Sequence, residues 1–172
     1  MTQKIEKYLV DTNIFIQAKN LYYPFNFAPG FWDWLEQING KNSIISIEPV
    51  YKETQLVDDE VSNWCKAHKN LFNSIDNKVY QEISNIQKIL VQHKTEQSKI
   101  NDFMRGIADP YLIAFAKVYD YTIVTQEKLP ANNAIVTNKK VQIPPVCIEM
   151  GVKWINLFDL LKKEQNHQLI LK

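Results

Sequence analysis

Glycine is scarce in this chain of 172 residues, with four, and arginine is scarcer: Arg105 is the only one among 20 basic residues. Four Gly and seven Pro exclude a collagen-like or linker-rich chain. No glycine follows the first apolar run, which argues against a dinucleotide-binding turn of the G-x-G-x-x-G kind. Long apolar runs are missing as well. None approaches the ~20 residues of a membrane helix, and Met1-Thr2-Gln3-Lys4-Ile5-Glu6 lacks the apolar stretch of a secretory signal. The expectation is a soluble cytoplasmic chain without a membrane partner. In that setting the two cysteines, Cys65 and Cys147, read as reduced thiols. Excess charge is absent too: 20 Lys+Arg against 19 Asp+Glu leave +1. That excludes a strongly basic nucleic-acid binder but not nucleic acid as a partner. If a few carboxylates are gathered in one pocket, the remaining surface is more basic than the total and suits a polyanion held at its backbone.

What is present points to a folded domain. The chain is 45% hydrophobic and 12% aromatic, which argues against disorder. Its length fits one domain spanning residues 1–172, able to bury roughly 70% of its unfolded surface. Four short apolar runs, Lys7–Val10, Ile44–Ile47, Thr122–Val124 with Thr125, and Val152–Ile155, read as strands covered on both faces. Between them the period is helical. Phe31, Trp34, Leu35 and Ile38 form one stripe, and Val79, Ile83, Ile86 and Leu90 another. Pro110–Tyr119 reads as a helix with Asp109 as N-cap, and Leu157–Lys163 as a terminal helix. The predicted fold is α/β and doubly wound, a largely parallel sheet of four or five strands with helices on both faces. Residues 54–108 hold two or three helices in place of one, an inserted segment on the rim. Residues 128–148, with Pro130, Pro144 and Pro145, read as a long loop around an extra edge strand at Ala134-Ile135-Val136.

In a parallel sheet the C-terminal ends of the strands share one edge, where ligands bind. Asp11 follows the first strand directly, Glu53 lies about one turn into the helix after the second, and Glu127 follows the third. Asp109 joins them if its helix abuts that edge. Four converging carboxylates repel and raise at least one pKa, and a divalent cation removes that penalty. Oxygen-only ligands suit Mg²⁺ or Mn²⁺ rather than zinc.

At these residues the chain resembles a known family. Leu9-Val10-Asp11-Thr12-Asn13-Ile14-Phe15 resembles the opening motif of PIN-domain nucleases. Ala108-Asp109-Pro110-Tyr111-Leu112-Ile113-Ala114-Phe115-Ala116 is similar to their second motif, and Ile123-Val124-Thr125-Gln126-Glu127 to the closing one. Ser46–Glu53 resembles the segment that supplies a helical Glu. The resemblance implies a PIN-like fold and a Mg²⁺- or Mn²⁺-dependent endoribonuclease. It further implies the toxin of a VapC-like toxin–antitoxin pair, with an RNA substrate, a small antitoxin partner and a homodimer as expected associations. The implied acidic set is Asp11, Glu53, Asp109 and Glu127, with Asp11 and Asp109 as principal metal ligands. Asn13 and Thr125 stand as candidates to hydrogen-bond a carboxylate or phosphate oxygen, and Arg105 as a clamp on a phosphate. The chain departs from the family at Glu127, where Asp is usual, and in the long stretch between the closing motif and the last strand, within which Val141–Cys147 marks a divergent branch.

Ordinary structural roles fit the same residues. Asp109-Pro110 and Asp11-Thr12-Asn13 are good helix starts, and Glu53 fits a solvated face. Asp58-Asp59-Glu60 reads as an acidic helix start. Cys65 and His68 share a helix face, but with only His93 and His167 besides, no zinc set forms. Seven aromatics lie between Tyr22 and Trp34. Phe31 and Trp34 read as core; Tyr22, Tyr23 and Phe25 stay open between packing and stacking on RNA bases. Against the nuclease stands a catalytically inactive PIN-like module that binds RNA or protein. A phosphotransferase with Asp11 as nucleophile is weaker, since Asn13 stands where such sites commonly have a second Asp.

Overall fold

Tyr8, Leu9 and Val10 make the central strand β1 (Tyr8–Val10), and all three are at most 2% exposed. Such burial needs cover on both faces and pairing on both edges, which the chain supplies by winding outward from β1 twice. The structure, a computed structural model, describes residues 6–41, 43–137 and 140–164. The readings made on Met1–Ile5, His167, and Asn138 and Lys139 of the predicted loop lie outside the described residues.

The first winding passes through α1 (Thr12–Gln17), α2 (Pro29–Gly40) and β2 (Ile44–Ile47), then α3 (Glu48–Thr54), α4 (Glu60–Ala67) and β3 (Phe72–Asn73). The chain returns through α5 (Asn77–Gln92), α6 (Gln97–Arg105) and α7 (Asp109–Tyr119) to β4 (Thr122–Val124) on the other side of β1. It ends through α8 (Ile143–Met150), β5 (Trp154–Ile155) and α9 (Leu157–Lys163). The strand order is β3-β2-β1-β4-β5, and every pair is parallel. Right-handed crossovers running in opposite directions from β1 put the two helix groups on opposite faces. On one side α1 packs on α3 and α3 on α4; on the other, α5 and α8 pack on α7. The fold is the PIN-like, doubly wound α/β sheet expected. Its topological switch point, where the loops after β1 and β4 diverge, is the crevice in which such sheets bind ligands.

Three expectations change. The fifth strand is Phe72–Asn73, paired to Ser46–Ile47, so the segment 54–108 contributes a strand as well as three helices. Two residues are too short for any periodicity to mark. The predicted edge strand at Ala134–Val136 is an isolated antiparallel bridge between Val136 and Val141. Within the predicted loop, Ile143–Met150 is a helix. Pro144 and Pro145 sit in its first turn, where the missing N–H groups have no intrahelical partner to lose, and Ile143, Val146, Cys147 and Met150 are buried. Cys65 and Cys147 are both free and buried. No helix among the described residues is long and apolar enough to cross a membrane.

Phe15 is fully buried, its ring 6.0 Å from that of Trp64 and 6.1 Å from that of Phe72. It joins α1 to α4 and β3 behind the Asp11 turn. Phe15→Ala is expected to cost about 3–5 kcal/mol in urea unfolding; a loss near zero would show that the core reseals without it.

Candidate active site

Asp11 leaves β1 at the switch point, in the N-cap position of α1, yet its carboxylate caps nothing. Its backbone N–H still pairs with the Val124 carbonyl at 3.0 Å, extending the sheet. The side chain, 3% exposed, instead turns to β4: Asp11 Oδ2 accepts from Thr125 Oγ1 at 2.7 Å and from Asn13 Nδ2. Asn13 Nδ2 also lies 2.9 Å from Thr125 Oγ1, and Asn13 Oδ1 accepts the Gln126 backbone N–H at 3.0 Å. Asn13 and Thr125 therefore clasp the two turns together and fix the Asp11 rotamer. The other oxygen, Oδ1, accepts no hydrogen bond among the described residues.

Glu53 stands in the last turn of α3 and links two helices. Its Oε1 accepts the Ala108 N–H at 3.1 Å, just before α7, and its Oε2 accepts the Thr12 hydroxyl. Asp109 is placed differently from the expected N-cap. Ala108 occupies that position, and Asp109 lies in the first turn of α7 with no capping bond. The N–H of that cap residue is the one Glu53 holds. The half-buried Asp109 carboxylate is left without a hydrogen-bond donor among the described residues. Glu127 reaches the opposite way, its Oε2 accepting the Ile143 N–H at 2.7 Å and its Oε1 the Lys140 ammonium. It thereby satisfies a first-turn donor of α8.

The four acids feel one another. Burial pushes the Asp11 carboxyl up to about 8 from the usual 3.8, reinforced by the charge of Asp109 and then by Glu127 and Glu53, with the Thr125 hydroxyl opposing. Burial also raises Asp109, to about 6, with Glu127 and Glu53 adding to the rise and Lys140 opposing it. As placed, no three Asp, Glu, His or Cys side chains among the described residues close around one ion. The hydrogen bonds explain this: both oxygens of Glu53 and of Glu127 are engaged, while Asp11 Oδ1 and both Asp109 oxygens are not. Such a set fits Mg²⁺ or Mn²⁺, which keep several waters and take one or two direct carboxylates. It does not fit zinc, which needs a closed set containing nitrogen or sulfur.

Arg105 is exposed at the end of α6 and makes none of the contacts to the acids. The cation they feel is Lys140. Burial works against its charge, but the Glu127 hydrogen bond and the charges of Glu127, Asp109 and Asp11 together hold it above the usual lysine value. Sequence reasoning missed Lys140, and no signal marked it: it is one of nineteen lysines, 13 residues beyond the acid it meets. Thr12 was missed as well, although its place directly after Asp11 was a usable hint. Burial raises the Cys65 thiol to about 12 and moves Cys147 upward too, so neither is a ready nucleophile at neutral pH. His68 stacks on Trp64 with centroids 4.2 Å apart, away from these acids. Asp59 caps α4 through the Ser62 N–H, as the acidic helix start suggested.

The family described as a domain of unknown function (DUF4411) matches the chain over residues 8–168. No curated protein matches it. Among solved structures the chain is similar to the crystal structure of VapBC2 from Rickettsia felis bound to a DNA fragment from their promoter. The TM-score is 0.50 at 16% identity, with 87% of this chain and 97% of that chain covered. At that identity the likeness concerns the fold.

The raised acids set the sign of a pH effect. Asp11 and Asp109 hold their protons more tightly folded than unfolded, so between about pH 4 and 8 the native state binds more protons and metal-free stability falls as pH rises. Glu6, Asp59 and Asp76 are lowered, so their contributions have the opposite sign and lie toward the acid end. In EDTA, the melting temperature should fall steadily from pH 5 to 8, and Asp11→Asn with Asp109→Asn should flatten the fall. A wild-type melting temperature that rises with pH there would refute the repulsion.

Proposed function

The chain belongs to the DUF4411 family, and we propose that it is a Mg²⁺- or Mn²⁺-dependent endoribonuclease whose working acids are Asp11, Asp109, Glu53 and Glu127. The observation that carries this reading is the pair Asp11 and Asp109. Both stand at helix starts, neither caps its helix, and each is driven toward protonation by burial and by the other acids. One buried and one half-buried carboxylate with free oxygens at a sheet's switch point are costly to a fold that asks nothing of them.

A divalent ion bound there would supply Lewis-acid charge and a water of lowered pKa. Asp11 Oδ1 and the Asp109 carboxylate are its direct ligands in this reading. Asn13 and Thr125 hold Asp11 so that this oxygen stays presented. Glu53, held by Thr12 and Ala108, would sit beside such an ion and, on release of one of those hydrogen bonds, could orient a water or accept a proton. Glu127 stands one layer further out, acting through water or on a second ion. Lys140, beside it, is the cation positioned to meet a phosphate oxygen, in place of Arg105.

The likeness to a VapBC2 complex supports the further reading that the chain is the toxin of a toxin–antitoxin pair, cytoplasmic and paired with a separate small antitoxin. One observation favours the second reading, a PIN-like module that binds RNA or protein without cutting: both oxygens of Glu53 and Glu127 are already engaged.

Single-stranded RNA incubated with the protein and Mg²⁺ or Mn²⁺ should be cut, EDTA should stop the cutting, and Asp11→Asn should slow it by ~100-fold or more. Cutting that ignores both EDTA and Asp11→Asn would refute the reading, and no cutting at all would leave the binding module. Induced expression in a bacterium should slow growth, with Asp11→Asn restoring it. Unaltered growth would remove the toxin role alone.

A further inference from the structure

Beside the acids, on the β4–β5 side, lies a second cavity of about 550 Å³, within the roughly 300–1,000 Å³ range of small-molecule sites. Its inner wall is Thr125-Gln126-Glu127, the segment that carries Glu127 and the Asn13 clasp. We propose that this cavity binds the base of the nucleotide next to the scissile phosphate in a single-stranded RNA, stacking it on Tyr22 and Phe158. The proposal rests on the ribonuclease reading only for the position of the cut.

The rings themselves argue for it. In the aromatic stretch that begins at Tyr22, most side chains are spent on packing: Tyr23 stacks on Phe31 at 4.4 Å and Phe25 on Trp32 at 3.8 Å. Tyr22 is not. The helix after Asp11 widens into a π-helical turn over Ala18–Tyr22, and Tyr22 emerges 40% exposed at the cavity. Phe158, from the first turn of α9, meets it edge to face at 5.2 Å and is 41% exposed. Trp154 of β5 lines the same space. Exposed rings at a cavity wall form a stacking surface that any base can use once it is out of a duplex.

The polar lining suits a base edge and a phosphate. Gln17 and Gln126 line the cavity, and neither side-chain amide has a hydrogen-bond partner among the described residues. An amide donates and accepts, as a Watson–Crick edge requires of its reader. Asn156 uses its oxygen on the Asp159 N–H and keeps its amide nitrogen as a donor. Lys128 at the rim makes no ion pair among the described residues, whereas the one carboxylate besides Glu127, Asp159, pairs with Lys162 at 3.7 Å. The cavity thus offers stacking, edge donors and acceptors, and in Lys128 a cation without an ion pair among the described residues.

The test reads binding apart from cutting. In a chain carrying Asp11→Asn and Asp109→Asn, from which two of the acid charges are removed, 5′-fluorescein hexaribonucleotides of A, C and U are titrated in EDTA, which withholds the divalent ion, and followed by anisotropy. At least one should bind, with Trp154 emission changing as it does. Tyr22→Ala and Phe158→Ala should each weaken binding about tenfold or more, the scale of one base–aromatic stack. Tyr22→Phe, which keeps the ring, should stay within about twofold. Duplex RNA should compete poorly, and a hexadeoxynucleotide arm reads the contribution of the 2′-hydroxyl. Melting temperatures of the variants report folding. Hexanucleotides that bind none of the chains, or bind both alanine variants as tightly as the parent, would overturn the subsite and favour a protein contact at these rings. Ring-dependent binding together with no EDTA-sensitive cutting by the native chain would overturn the hydrolase reading and leave the subsite standing.

Discussion

Burial of Asp11 among the charges of Asp109, Glu127 and Glu53 is the constraint on which the rest of the molecule turns. Asp11 and Asp109 are each drawn out of water by the packing around the switch point; Asp109, then Glu127 and Glu53, make ionisation of Asp11 harder, and Glu127 and Glu53 do the same to Asp109. A fold tolerates such a group of acids only if neighbouring groups hold the carboxylates in place and a positive charge answers them. Asn13 and Thr125 do the first for Asp11, and Thr12 with the Ala108 N–H does it for Glu53. The second falls in part to the Lys140 ammonium.

These polar links also tie the two windings of the sheet together. Asn13, on the first winding, reaches Thr125 and Gln126 on the second. Glu53 likewise reaches from α3 to the start of α7. The groups that set the geometry of the acids are therefore the groups that close the top of the sheet. Substitutions here report on stability and chemistry together, and only conservative changes such as Asp to Asn separate the two.

Much of the fold was legible because its signals are local. β1 and β4 are continuous apolar runs, and the stripes of α2 and α5 repeat at helical spacing through Leu35 and Ile38 and through Val79, Ile86 and Leu90, all buried. Where the structure departs from the reading, the deciding signal was not local. β3 is two residues long and exists because Ser46 and Ile47 offer it an edge. α8 looked like a loop because two prolines were read as breakers, yet in a first turn they break nothing, and packing on α7 rewards the apolar face behind them. Asp109 looked like a cap because the residue before a proline often is one. The cap is Ala108, whose N–H is held by Glu53, 55 residues away in sequence.

By itself the sequence determined which residues alternate between strand and helix, and which acids follow the strands, since backbone period and residue type act over a few positions. It also carried the order of the motifs that marks a PIN-like sheet. Only the tertiary structure decided which acid oxygens are engaged and which are free, that Lys140 rather than Arg105 answers them, and that Tyr22 faces a cavity while Tyr23 and Phe25 are stacked away. Those outcomes depend on hydrogen bonds and ring contacts between segments far apart along the chain. Such contacts carry no periodicity for a sequence to show, because their geometry comes into being only when the sheet closes.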